Sequence, residues 1–182
     1  MKSKLFPFLS AFIFTLIFAA NIFPQSKSNI FDETRPRVAD KSSTKTVEST
    51  FDLEKKAFAL INDIRRINGL KELVWSDDVA KIARQHSNNM ASNKFFSHRG
   101  LDGSMIDDRA DSIGLRKWRA IGENIAYNRG YAKPTEFAVE CWMKSAGHRE
   151  NLLNTSWKET GIGIAVASDG SYYFTQVFLL RR

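Results

Sequence analysis

The sequence predicts an α+β fold in which helices cover a mostly antiparallel sheet, and three observations carry that prediction. Apolar residues recur at helical spacing from Leu53 to Ile67 and again from Val79 to Met90. The C-terminal region changes to the two-residue rhythm of strands around an Asp169-Gly170 turn. No glycine-rich phosphate loop follows a strand, so nothing asks for a doubly wound nucleotide fold.

At the N-terminus, Lys2 and Lys4 precede an apolar stretch from Leu5 to Phe23 that Pro7, Ser10, Thr15 and Asn21 interrupt. A charged n-region followed by an apolar h-region marks residues 1–25 as a signal peptide. The run also approaches the length of a spanning helix, so an uncleaved anchor stays open as the alternative. Cleavage after Ala20 would put Phe18 where a small residue is preferred, which leaves the cut between about Ala20 and Ser26. Residues 26–50 are rich in Ser, Thr, Lys and Asp and read as a flexible linker. The remaining 51–182 suit one domain.

Within that domain, Leu53, Ala57, Leu60, Ile61, Ile64 and Ile67 form the buried stripe of a first helix that Asn68-Gly69 ends. A second helix begins near Ser76, whose hydroxyl is expected to cap it, and runs to Asn93. Its stripe is Val79, Ile82, Ala83, His86 and Met90. A polar loop over Asn93–Gly103 leads to a short helix around Met105–Ile113, and Ala120–Ala126 reads as a strand. Pro134 suits the first turn of a helix running to about Ala146, with Phe137, Ala138, Cys141, Trp142 and Ser145 on one arc. Ile162, Ile164 and Val166 alternate with small residues before the turn, and Tyr172–Leu179 completes an antiparallel hairpin.

Composition narrows the function classes. With 43% hydrophobic and 12% aromatic residues the chain has the means to bury a core. Its formal charge of +7 permits attraction to anionic surfaces, yet beyond Phe51 the charges of both signs are interspersed. No nucleic-acid partner is therefore expected, and membrane contact is expected through the N-terminal segment alone if it is uncleaved. Cys141 is the single cysteine, which excludes an internal disulfide and a lipid-modified N-terminal cysteine. Its position beside Trp142 reads as a small buried hydrophobe.

Three histidines can be weighed separately. His86 lies on an apolar stripe and reads as a core imidazole bonded to a neighbour. His98 lies in the loop Phe95-Phe96-Ser97-His98-Arg99-Gly100, Glu123 in Gly122-Glu123-Asn124-Ile125-Ala126, and His148 after the fourth helix in Gly147-His148-Arg149-Glu150-Asn151. Spacing alone does not bring His98, Glu123 and His148 together, because their separations are too long for a local metal motif.

The blocks from Leu60 to Phe178 resemble, in order, those of the CAP superfamily, the SCP-like extracellular proteins. They are Leu60-Ile61-Asn62-Asp63-Ile64-Arg65, the Phe96-Ser97-His98 loop, Gly122-Glu123-Asn124-Ile125-Ala126, Trp142-Met143-Lys144-Ser145 through Leu153, Gly161-Ile162-Gly163-Ile164, and Thr175-Gln176-Val177-Phe178. The resemblance implies a three-layer α-β-α sandwich with a cleft lined by two histidines and two acidic residues. His98, Glu123 and His148 match three of these, and Ser145 stands at the fourth. Both Ser145 and the lack of other cysteines fit the bacterial branch.

What the resemblance implies for function is an exported binding or interaction module acting outside the cell or on its envelope. Two neutral imidazoles and a carboxylate suit a divalent metal, zinc above all, with Glu123 as ligand or as partner to a ligand. Ser145 in place of an acid should weaken that affinity. The implied ligand is a lipid or a cell-envelope component, and no other cofactor is expected. Two alternatives stay open: a metal-dependent hydrolase of envelope or extracellular polymers, and a structural surface protein with a vestigial cleft. Catalytic residues are not assigned. A Ser145 nucleophile with His148 as base lacks the elbow and oxyanion motifs that normally accompany one.

Overall fold

Helix α1 (Thr50–Ile67) opens where a serine can cap it, Ser49 Oγ accepting from the Asp52 amide at 3.2 Å. Arg65 and Arg66 occupy its last turn, and Gly69 takes the positive φ of 70° that lets the chain leave. The computed structural model describes residues 48–182. The signal peptide or anchor expected over 1–25 and the linker up to residue 47 lie outside the described residues.

The remaining elements follow as β1 (Val74–Trp75), α2 (Asp77–Asn93), α3 (Ile106–Ser112), β2 (Trp118–Asn128), α4 (Pro134–Lys144), α5 (Ala146–Leu153), β3 (Glu159–Val166) and β4 (Tyr172–Arg181). The strands form one sheet in the order β1-β3-β4-β2. Strand β4 pairs antiparallel with both β3 and β2, while β1 runs parallel to β3, so the sheet is mixed. Two residues of β1 carry no alternation, which is why the sequence did not reveal this strand.

Strand alternation sorts the core into two layers. Ile162, Ile164, Phe174 and Phe178 pack with Leu53, Ala57, Ile61, Trp142 and Leu152 on the side of α1, α4 and α5. Val177 and Leu179 meet Val79, Ile82, Ala83 and Ala110 on the side of α2 and α3. The small residues of β3 explain how α2 comes so near. A Cβ on Gly161 would lie 2.1 Å from the Ala80 amide nitrogen, and one on Gly163 would lie 2.1 Å from that of Arg84. Two strand residues span about 6.8 Å, close to the rise of about 6 Å over four helical residues, so the glycines match backbone positions four apart on α2.

Polar side-chain contacts close both flanks of the sheet. Trp142 Nε1 donates to the Ile125 carbonyl at 2.9 Å, and Asn151 Nδ2 donates to the Glu123 carbonyl at 3.4 Å, occupying carbonyls of edge strand β2. Near the other edge Glu54 accepts from the Ile164 amide at 3.2 Å and is gripped by Arg84 at 2.7 Å. Asn62 exchanges two hydrogen bonds with the Leu73 backbone, and buried Arg65 donates to the carbonyls of Lys71, Leu152 and Asn154. Both therefore serve hydrogen bonding within the fold.

Two local expectations are corrected. Ser76 precedes α2, but its hydroxyl makes no capping bond; its backbone amide instead joins Thr160 of β3 at 2.9 Å. The helix expected to reach about Ala146 stops at Lys144, since Ser145 is extended (φ −88°, ψ 124°) and a separate helix α5 follows. Helical periodicity cannot distinguish a continuous helix from one redirected by a single extended residue. The break changes the site, because it moves His148 from a trailing loop into the first turn of α5.

Candidate functional site

Three elements converge beside the middle of β2. The loop after α2 carries His98, the middle of β2 carries Glu123, and α5 carries His148. His98 Nδ1 lies 2.8 Å from Glu123 Oε1. The second carboxylate oxygen, Oε2, accepts from Arg109 Nη2 at 2.6 Å. Both side chains of the Arg109–Glu123 pair are buried, at 7% and 4% exposure. A carboxylate so deep in the fold needs its charge compensated, and the guanidinium supplies that.

Arg109 does more than neutralise. Its Nη1 donates to the His98 carbonyl at 3.1 Å and to the Ser104 carbonyl at 3.0 Å, so one guanidinium ties both limbs of the loop to the strand. The sequence reading did not single out this residue. Its signal was available only as an arginine on the inward arc of a short helix beside Ala110.

His148 is held through its backbone. Asn124 Nδ2 donates to its carbonyl at 3.1 Å, and Asn151 Nδ2 fixes the Asn124 side chain at 2.9 Å. Its imidazole and that of His98 line a cavity of about 390 Å³ with Phe96, Ser97, Arg99, Met105 and Ile125. Glu123 sits behind His98, with both oxygens engaged. Ser145 stands at the α4–α5 junction, where its hydroxyl caps neither helix. Among the described residues, no three His, Cys, Asp or Glu side chains converge as a set able to hold a metal ion. The donors that face the cavity together are two imidazoles.

His86 is fully buried and its Nε2 lies 3.0 Å from the Ser97 carbonyl, one residue from His98. It thus braces the loop from below, in keeping with its reading as a core imidazole. Burial pushes the pKa of both His86 and His148 below the ordinary imidazole value, and for His148 the neighbouring His98 adds to that. The folded state therefore resists protons that the unfolded chain accepts. Stability should be fully present above the unfolded imidazole value of about 6.5 and decline as pH falls from there toward the lowered values. Urea midpoints measured from pH 7.5 to 5 should fall, and less so in His86→Gln; a flat profile would contradict the assignment. Burial also pushes the Cys141 thiol up, making it a poor nucleophile.

Residues 58–178 match the CAP family, the cysteine-rich secretory protein family. The chain belongs to this family. Two Bacillus subtilis (strain 168) proteins are each 36% identical to it: uncharacterized membrane protein YlbC over 147 residues, covering 81% of this chain and 39% of YlbC, and uncharacterized protein YkwD over 146 residues, covering 79% and 54%. The CAP chain thus spans roughly two-fifths to one-half of these relatives' lengths. A Bacillus anthracis extracellular protein containing an SCP domain superposes with TM-score 0.64 at 30% identity, over 72% of this chain and 41% of that one. An outer surface protein from Borrelia burgdorferi shares the fold, with TM-score 0.67 at 22% identity over 74% and 96% of the two chains. The CAP sandwich is therefore a fold found also in a bacterial extracellular protein and a bacterial outer surface protein. No helix among the described residues is long and apolar enough to cross a membrane.

Proposed function

We propose that this CAP protein is an exported binding module that acts outside the cell or on its envelope, with a cleft able to take a divalent metal, zinc first, through His98 and His148. The observation that carries the reading is the Arg109–Glu123–His98 chain, with contacts of 2.6 and 2.8 Å. A neutral imidazole whose Nδ1–H donates to a carboxylate keeps its lone pair on Nε2, the form a metal ligand requires. Glu123 is then the partner that orients His98, since both its oxygens are engaged. Lowered basicity of His148 supports the same use, because it keeps that imidazole unprotonated at neutral pH. Export is supported by the charged and apolar N-terminal segment and by the extracellular Bacillus anthracis neighbour.

Zinc would supply a Lewis-acidic centre whose open positions a water or a ligand oxygen completes. The chain's own contribution is to orient His98 through Glu123, to place His148 through Asn124, and to shelter one side of the site with Phe96, Met105 and Ile125. With two protein ligands the affinity should be micromolar or weaker. Elemental analysis of protein purified without added metal, followed by calorimetric titration with zinc, tests this. His98→Ala and His148→Ala should each abolish the heat, and Glu123→Gln should weaken binding about tenfold or more. Unchanged heats in both histidine variants would remove the metal from the reading.

A further inference from the structure

Alternation places Glu123, Ile125 and Tyr127 on one face of β2, each about 6.8 Å from the next. The row begins at the carboxylate bound by Arg109, passes Ile125 in the cavity wall and ends on an aromatic ring. That ring is fixed in place. Tyr127 meets Tyr173 edge to face with centroids 5.0 Å apart, and its hydroxyl lies 3.1 Å from Ser171 Oγ, yet the residue is 45% exposed. Phe96, 51% exposed, lies 6.1 Å from it and also lines the cavity beside His98 and His148.

Two adjoining half-exposed rings, inclined at 52° to each other, form an aromatic corner, and for Tyr127, locked by two contacts, the ordering cost is already met before anything binds. The polar groups around it are imidazoles and the Arg99 guanidinium, with no free carboxylate among the described residues that line the cavity. A matching occupant has a flat C–H face for the rings, a rim of hydroxyls that donate to the His98 Nε2 lone pair and accept from the Arg99 guanidinium, and a small apolar substituent for Ile125. A plain acyl chain would cover the rings but make no use of the polar groups beside them. We propose that Phe96 and Tyr127 form a subsite for a pyranose ring of an N-acetylated amino-sugar polymer, its acetyl methyl directed toward Ile125. This rests on the reading of the cleft as a ligand-binding site, but not on its metal.

The isotope-labelled exported chain, titrated with the β-1,4-linked N-acetylglucosamine tetramer and followed by amide NMR, tests the proposal. Shifts should concentrate at Phe96, Ile125 and Tyr127. Phe96→Ala and Tyr127→Ala should each weaken binding about tenfold, whereas Tyr127→Phe, which keeps the ring, should bind as the parent does. Dispersed spectra and cooperative thermal unfolding identify the variants as folded. No shift at millimolar tetramer, undiminished binding by Phe96→Ala, or a stronger response at these residues to an unstructured peptide or to phospholipid vesicles would overturn the subsite. Zinc binding without sugar binding overturns this inference alone; sugar binding by a chain that takes no zinc supports it and removes only the metal.

Discussion

Gly163→Ala should destabilise the domain by about 3 kcal/mol or more, at the upper end of what overpacking does. The added Cβ would stand 2.1 Å from the Arg84 amide nitrogen and 2.3 Å from the Ala83 carbonyl carbon. Both are backbone atoms of a helix whose own bonds and buried stripe prevent local yielding. Relief requires α2 to move off the sheet, separating Val79, Ile82 and Ala83 from Val177 and Leu179. Gly161→Ala meets Ala80 in the same way, and the double substitution should fail to fold. Gly147→Ala is the control, since nothing lies within 4 Å of a Cβ there. Denaturant unfolding measures all of these, and a loss below about 1 kcal/mol for Gly163→Ala would mean that the helix is free to slide.

The second large effect is at Arg109. Replacing it with methionine leaves Glu123 buried with an uncompensated charge, and removing one member of a buried pair typically costs about 3–5 kcal/mol. It also frees the carbonyls of His98 and Ser104, so the His98 loop loses its tie. Arg109→Lys should recover part of the stability, but a single ammonium cannot span the carboxylate and two carbonyls as the guanidinium fork does. The double variant Arg109→Met with Glu123→Leu should regain most of the stability, because it removes both charges together. Thermal unfolding of the parent, Arg109→Met, Glu123→Leu and the double variant closes the cycle. Equal stability of Arg109→Met and the parent would show that the pair contributes nothing.

Long elements with strong periodicity were legible in the chain. The stripe from Leu53 to Ile67, the Asn68-Gly69 exit and the C-terminal hairpin all follow from local spacing and turn chemistry, and they appear within a few residues of expectation. Elements set by distant partners were not. The two residues of β1 are a strand because Lys158 and Thr160 of the β3 segment accept from Val74 and Ser76, contacts across more than eighty positions. The α4–α5 break was equally hidden, since Ser145 differs from its neighbours only in backbone angles.

At the site, the sequence by itself determined which residue types were present, and the resemblance of its ordered blocks implied that His98, Glu123 and His148 share one cleft. Only the tertiary structure decided what each of them touches. The residue type alone leaves Glu123 suited both to ligating and to supporting; in the fold one of its oxygens meets Arg109 of α3 at 2.6 Å and the other meets His98 at 2.8 Å. The physical reason is that a buried carboxylate is defined by whichever charges and donors fold against it. Those partners lie on separate elements, at distances that no spacing rule encodes.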